Sequence, residues 1–414
     1  MDVLVKERSS IRVLYSFPHK LGADRICSTA WEQVNSACAA GAEILVMPGV
    51  LQRELPPQVK VQPTLARGKI RIPYSALGRL RSLQLHDWIV ARRLERLEDK
   101  VDVVHCWPAA SLRTLKAANK LGIATVLERP NAHTRYAYTA VNAESKRLGI
   151  ALPSSDEYFF NERILAQEEE EYQAVFRILC PSDFVVKTFR EQGVPTSRLV
   201  RHFYGVDLQV YRRPASRRRR KAGLTVLFAG VCSVRKGLHF ALEAWLRSPA
   251  HQDGLFLIAG SFLPNYSKKL ERLLRHQSIR VLGQRNDIPQ LMQESDLLIL
   301  PSIEEGFGLV CTEAMASGCV PLVSEACTDI CRHMKNALVH PIGRVDLLSE
   351  QLTLLHHDRA LLDRLSDTAV EDVKKYTWPM AGRRLVDIYG AVSTEKNAQL
   401  CDPDWGISEE QILS

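Results

Sequence analysis

The sequence has no apolar run close to the roughly 20 residues a membrane-spanning helix requires. Its opening, MDVLVKERSS, is too charged for the core of a secretory signal. Its ten cysteines include no Cys-x-x-Cys pair, and the closest two, Cys327 and Cys331, lack a surrounding His/Cys cluster of zinc-binding spacing. Together these absences lead us to expect a cytoplasmic chain whose thiols stay reduced and act as small core hydrophobes. Low-complexity tracts and internal repeats are missing as well. Neither basic run is interleaved with aromatics, which removes the usual footprint of nucleic-acid binding.

What is present is ordinary in bulk and specific in order. With 414 residues, 46% hydrophobic and 25% charged, the chain is long enough for two or three cores. Apolar runs alternate with amphipathic stretches. Ile11–Phe17, AEILVMP, Val101–Trp107, Ala124–Pro130 and RILCPS form a first series, with a helix pattern from about Asp24 to Ala40 after the first of them. A second series begins after a Pro/Arg-rich stretch: Leu224–Val231, Leu255–Ser261, Ile279–Gly283, Asp296–Ser302 and Cys319–Ser324. Near-continuous apolar strands separated by helices predict parallel sheets covered on both faces. The expected fold is therefore α/β, with two doubly wound Rossmann-like domains facing across a cleft. Their predicted extents are 1–205 and 206–378, with a helix 379–396 returning to the first domain and a tail 397–414.

Charge is unevenly spread within a net +8. Between Lys60 and Arg93 there are eight basic residues and one acid, Asp87. A solvated helix face is the bland account; contact with an anionic membrane or a phosphorylated acceptor is the functional one. The run Arg217–Lys221 reads as an exposed linker, and Glu168–Glu171 as a solvated helix surface.

The segment Glu304–Glu313, EEGFGLVCTE, places two carboxylates, Glu305 and Glu313, eight positions apart around Gly306-Phe307-Gly308. Because it follows the strand pattern LLILPS, the glycine turn opens a helix there. Unpaired N–H groups at a helix start receive anions, and the flanking acids suit sugar hydroxyls. Earlier in the same domain, Arg235-Lys236-Gly237 lies between a strand end and an apolar helix. A planar guanidinium beside a compact ammonium is a fitting clamp for a diphosphate.

The order RKG, then G-x-R-x-D-I-P, then LPS-x-EEGFG with Glu313 beyond, resembles the family-4 retaining glycosyltransferases of GT-B fold (glycosyl transferases group 1). The resemblance runs from about Ile11 to Val392. It implies sugar transfer from a nucleotide-diphosphate sugar to a glycan, glycolipid or small-molecule hydroxyl. By that likeness Glu313 holds ribose hydroxyls and Glu305 the donor sugar. Gly306, Phe307, Gly308 and Leu309 offer backbone N–H groups, and Arg235 and Lys236 neutralise the leaving diphosphate. Gly283 and Arg285 border the base, and Gly22 lies in the first loop near the diphosphate. His133, in ERPNAHT, is expected to face the cleft near the transferred carbon, and His105 is a lesser candidate for its lining.

Three departures stand out. Gly230 is followed by Val231 where an arginine is common, so Arg235 supplies the guanidinium; the first loop has Gly22 alone where a pair is frequent. The only Asp-x-Asp, Asp402-Pro403-Asp404, falls in the expected tail, so neither metal nor cofactor is expected. The rival readings are a sugar-nucleotide epimerase of related fold and a non-catalytic nucleotide-binding partner of another transferase.

Overall fold

Each long apolar run becomes a strand in the computed structural model, which describes residues 10–67, 70–71, 77–154, 156–214 and 223–401. The first series gives β1 (Arg12–Leu21), β2 (Glu43–Leu51), β3 (Lys60–Val61), a small antiparallel pair β4 (Ala66–Arg67) and β5 (Ile70–Arg71), β6 (Val103–Cys106), β7 (Ala124–Glu128), β8 (Arg177–Cys180) and β9 (Leu199–Arg201). The second gives β10 (Thr225–Ala229), β11 (Leu255–Ala259), β12 (Ile279–Gly283), β13 (Leu297–Leu300), β14 (Val320–Ser324) and β15 (Leu338–His340). The seven-stranded sheet runs β3-β2-β1-β6-β7-β8-β9 and the six-stranded sheet β12-β11-β10-β13-β14-β15. Both are parallel throughout. Their interiors are almost wholly buried, as in Val226, Leu227 and Phe228 of β10 and Leu297–Leu300 of β13. Two-faced burial is why these runs lack the alternation of a half-exposed strand.

In each sheet, strand order reverses beside the first strand of its series. The reversal opens a crevice at the strand C-termini, between β1 and β6 and between β10 and β13. The edge strands β3, β9 and β15 have two or three residues and leave no periodic trace in the sequence.

The helix Trp378–Cys401 packs on the helix Ile26–Ala39 of the first series. A methyl group on Gly382 would meet the Ser36 carbonyl at 2.4 Å, so the two backbones nearly touch. Tyr389 of this helix shares a 2.7 Å hydrogen bond with His105 Nδ1, and Glu395 pairs with Arg177. The helix runs on through 397–401, where a tail was expected; the rest of that expected tail, with Asp402 and Asp404, lies outside the described residues, as do Arg217–Lys221.

The expectation that Glu168–Glu171 forms a solvated surface is corrected. Glu168 and Glu171 are buried. Glu168 accepts from Arg129 at 3.1 Å, and Glu171 from the N–H groups of Ala109 and Ser111 at 2.8 and 3.0 Å. Glu169 and Glu170 point the other way, toward Arg135 and Lys116. Helical geometry puts i and i+3 on one side, and that side faces the domain. Burial, together with the neighbouring Glu168 charge, pushes Glu171 up to about 8. Among the described residues seven cysteines are buried and two half-buried.

Candidate donor and transfer site

The two loops that carry the motif leave adjacent strands at the switch point of the second sheet. Residues 230–237 follow β10 and residues 301–308 follow β13. The loops are stitched together where Ile303 N–H donates to the Arg235 carbonyl at 2.8 Å. Gly237 (φ 66°) opens the helix Leu238–Arg247, and an added Cβ there would fall 2.0 Å from the Pro301 carbonyl oxygen. Gly308 (φ 69°) opens the helix Leu309–Ser317. Left-handed backbone at both positions is what glycine adopts without steric cost. Phe307, between the glycines of the turn, is buried with its ring 5.3 Å from Tyr204, so the turn is pinned from beneath. The first N–H groups of that helix have no intrahelical acceptor, which makes its start an anion-receiving end.

Above the turn sits a compact charge cluster. Lys236 Nζ donates to Glu305 Oε2, and Arg235 Nη1 lies 3.5 Å from Glu305 Oε1. Ser302 Oγ donates to Glu305 at 3.3 Å. The Arg235, Lys236 and Glu305 side chains are between 9% and 14% exposed, so the pairing is not screened as a surface ion pair would be. Burial pushes the Glu305 carboxyl up, but Lys236 and Arg235 outweigh it and hold it down to about 2. Glu305 is thus ionised across the neutral range, with two cations at hand for a second anion.

Glu313 is different. It is half-buried on the helix Leu309–Ser317 and hydrogen-bonded to Tyr211. Burial raises it to about 7 despite that hydrogen bond. The sign follows directly. A carboxyl raised in the folded state is protonated below pH 7, and the empty protein loses stability as pH climbs from the ordinary carboxylate range toward 7. A hydroxyl-bearing ligand needs the ionised form as acceptor. We therefore expect nucleoside-diphosphate affinity, measured by calorimetry, to tighten between pH 6 and pH 8, and Glu313→Gln to weaken binding and flatten that dependence. An unchanged slope in the variant would remove Glu313 from the site.

The remaining candidates are scattered. Gly283 (φ 69°) ends β12 on the same sheet edge, and exposed Arg285 is engaged locally by Asp287 at 2.8 and 2.5 Å. Gly22 (φ 85°) turns the chain after β1 with Arg53 packed 2.4 Å from where a Cβ would be. None of the three touches the Arg235–Glu305 cluster.

His133 is held by its own domain. It caps the helix Thr134–Leu148, accepting from Arg135 N–H at 3.2 Å, and packs between Tyr172 and Phe189 at 4.9 and 4.8 Å. Burial, then Arg129 and Arg135, lower it to about 3, consistent with a neutral ring that accepts. His105 is likewise wholly buried, against Tyr389 and 3.6 Å from Glu128.

Two residues not singled out in the sequence complete the cluster. Glu304, fully buried, accepts from Ala132 N–H at 2.7 Å, Tyr158 O–H at 2.9 Å and Arg235 Nη1 at 3.2 Å. The Tyr158 ring lies 5.2 Å beneath the Arg235 guanidinium. The doubled acid at 304–305 was the one visible signal. The two series also meet where Glu144 pairs with His239 at 2.8 Å and Arg201 with Asp329 at 2.7 Å.

Residues 213–372 match the family model described as glycosyl transferases group 1. An N,N'-diacetylbacillosaminyl-diphospho-undecaprenol alpha-1,3-N-acetylgalactosaminyltransferase of Campylobacter jejuni is 30% identical over 139 residues, 33% of this chain and 37% of that protein. A D-inositol 3-phosphate glycosyltransferase of Xylanimonas cellulosilytica is 25% identical over 404 residues, 87% of this chain and 89% of its own length. The chain matches 37% and 44% of the length of the first two curated relatives. Sucrose-phosphate synthase from Thermosynechococcus elongatus superposes with a TM-score of 0.69 at 15% identity, covering 94% of this chain and 100% of that one. The architecture is that of the GT-B proteins.

Proposed function

We propose that this GT-B chain, with its glycosyl transferases group 1 match at 213–372, is a retaining glycosyltransferase of hexosyltransferase type that uses a nucleotide-diphosphate sugar. The observation that carries the reading is the buried Arg235–Lys236–Glu305 cluster over the Gly306–Gly308 turn, at the switch point of the second sheet. Two cations and a helix start are preorganised where a departing diphosphate gathers charge, which is the arrangement that lowers such a barrier. Glu305 suits the hydroxyls of the transferred sugar and Glu313 those of the ribose. In the proposed step the bond from the anomeric carbon to the diphosphate oxygen breaks. An acceptor hydroxyl bonds to that carbon on the same face, and its proton passes to the leaving phosphate. Glu305 is committed to Lys236 and is not used as a nucleophile.

The acceptor is proposed to be a lipid-linked or otherwise anionic glycan reached at a membrane surface from the cytoplasmic side. Among the described residues no helix is long and apolar enough to cross a membrane. Trp88 is 44% exposed on the helix Arg79–Leu94, on a face shared with Arg81 and Arg92, and Arg96 follows. Tryptophan flanked by arginines suits an anionic interface.

Thermal shift with UDP-, GDP- and ADP-sugars tests the reading. One base series is expected to raise Tm in excess chelator, because Arg235 and Lys236 supply the positive charge, and transfer is expected to persist there. No stabilisation by any of the three would sink the proposal; strict need for a divalent cation would remove its metal-independence. Sedimentation with phosphatidylglycerol vesicles, lost at high salt, checks the membrane step, and indifference to lipid removes it.

A further inference from the structure

Glu304 is fully buried, and its carboxylate is satisfied from both domains at once. Oε1 accepts from the Ala132 N–H, on the loop after β7. Oε2 accepts from Tyr158 O–H, on the segment between the helices Thr134–Leu148 and Glu162–Ala174, and from Arg235 Nη1 of its own domain. Arg235 also donates to the Glu304 carbonyl at 3.1 Å, so the guanidinium is held by two oxygens of one residue. Tyr158 covers the guanidinium face, and Asn131 Nδ2 donates to the Tyr158 hydroxyl at 3.3 Å. A buried carboxylate is costly unless its lone pairs are filled. Here two of the three side-chain bonds come from the first domain, so Glu304 is fully satisfied only while the domains are together.

We propose that Glu304 is the positioning residue through which the first domain sets Arg235 for the donor diphosphate. Closure delivers Ala132 N–H and Tyr158 O–H to the carboxylate. The carboxylate fixes the guanidinium, and the fixed guanidinium receives the phosphate. With the domains apart, Glu304 keeps Arg235 as its one charged partner and draws it off line. Glu304 itself touches no substrate. This inference rests on the glycosyltransferase reading above.

A double-mutant cycle between Glu304→Gln and Tyr158→Phe tests it. Wild-type calorimetry with UDP, GDP and ADP first selects the nucleoside diphosphate. If none binds, the glycosyltransferase reading fails and takes this inference with it. With the matching donor sugar, Glu304→Gln keeps the Ala132 acceptor but presents an amide N–H toward Arg235. It is expected to lower kcat/KM by about 10–100-fold, mostly in kcat. Tyr158→Phe, which deletes one hydroxyl and keeps the ring, is expected to lower it about 3–10-fold. In the Glu304→Gln background the tyrosine change is expected to add less than twofold, because its effect runs through the missing charge. A purely structural role would move Tm and leave the two effects independent. Equal factors in both backgrounds, or near wild-type kinetics for Glu304→Gln, overturn the inference while the glycosyltransferase reading stands. Should Glu304→Gln fold poorly, Glu304→Asp, which keeps the charge and withdraws it by one methylene, replaces it under the same criteria.

Discussion

Lys236→Met is expected to reduce sugar transfer by a factor of about 10²–10³ or more in kcat, the range found when one donor aimed at developing negative charge is removed. It is also expected to destabilise the protein. Lys236 is the main cation holding Glu305 ionised, and both side chains are about nine-tenths buried. Breaking such a pair from one side leaves an uncompensated carboxylate, which costs about 3–5 kcal/mol in a buried setting. Arg235, 3.5 Å from the other oxygen, softens this toward the lower end. For a domain of this size that corresponds to a fall in Tm of about 6–12 °C. Loss of activity alone therefore says little about role, since an unfolding variant is also inactive. Adding Glu305→Gln separates the two. The neutral pair removes both charges, so Tm is expected to recover most of the loss. Transfer is expected to stay at the background level, since the proposed function needs Lys236 for the diphosphate and Glu305 for the sugar. Recovery of turnover together with Tm in the double variant would make the pair structural and overturn the site.

What was legible in the sequence was whatever the local backbone enforces. Two-faced burial makes β10 and β13 continuous apolar runs, and the loops after them must carry glycine where the chain turns left-handed. The spacing from Arg235 to Glu305 therefore announced a site before any contact was known. What was not legible depends on partners far along the chain. Glu168 and Glu171 look like a solvated run until Arg129 and the 109–111 backbone are folded against them. His133 likewise carries no local sign that it caps a helix and packs between the rings of Tyr172 and Phe189. Glu304 and Glu305 are adjacent and chemically identical. Alternation of side chains separates them, sending one to the first domain and the other to Lys236.

Gly306→Ala is expected to lower kcat by at least about 10²-fold while leaving each domain folded. The added Cβ would stand 1.5 Å from the Pro130 carbonyl oxygen and 2.4 Å from its carbon. Both are backbone atoms of the first domain, fixed at the end of β7, so no side-chain rotation relieves the overlap. Either the glycine turn shifts or the first domain stands off. Both misplace the acceptor side relative to the donor by an ångström or more, and an error of that size costs about 10²-fold in an oriented reaction. Because the clash is between domains, Tm is expected to change little, and nucleoside-diphosphate affinity is expected to hold better than kcat. Gly149→Ala is the matched control. Its φ is 67° with nothing within 4 Å of the new methyl, so it carries only the left-handed strain of about 1–2 kcal/mol. Small-angle scattering of the alanine variant at 306 is expected to show an enlarged radius of gyration with donor present, and the control none. Turnover close to wild type for Gly306→Ala would mean that the approach of Pro130 to the glycine turn plays no part in transfer. The first domain would then supply its acceptor from a more open arrangement than the one in which Glu304 meets Ala132.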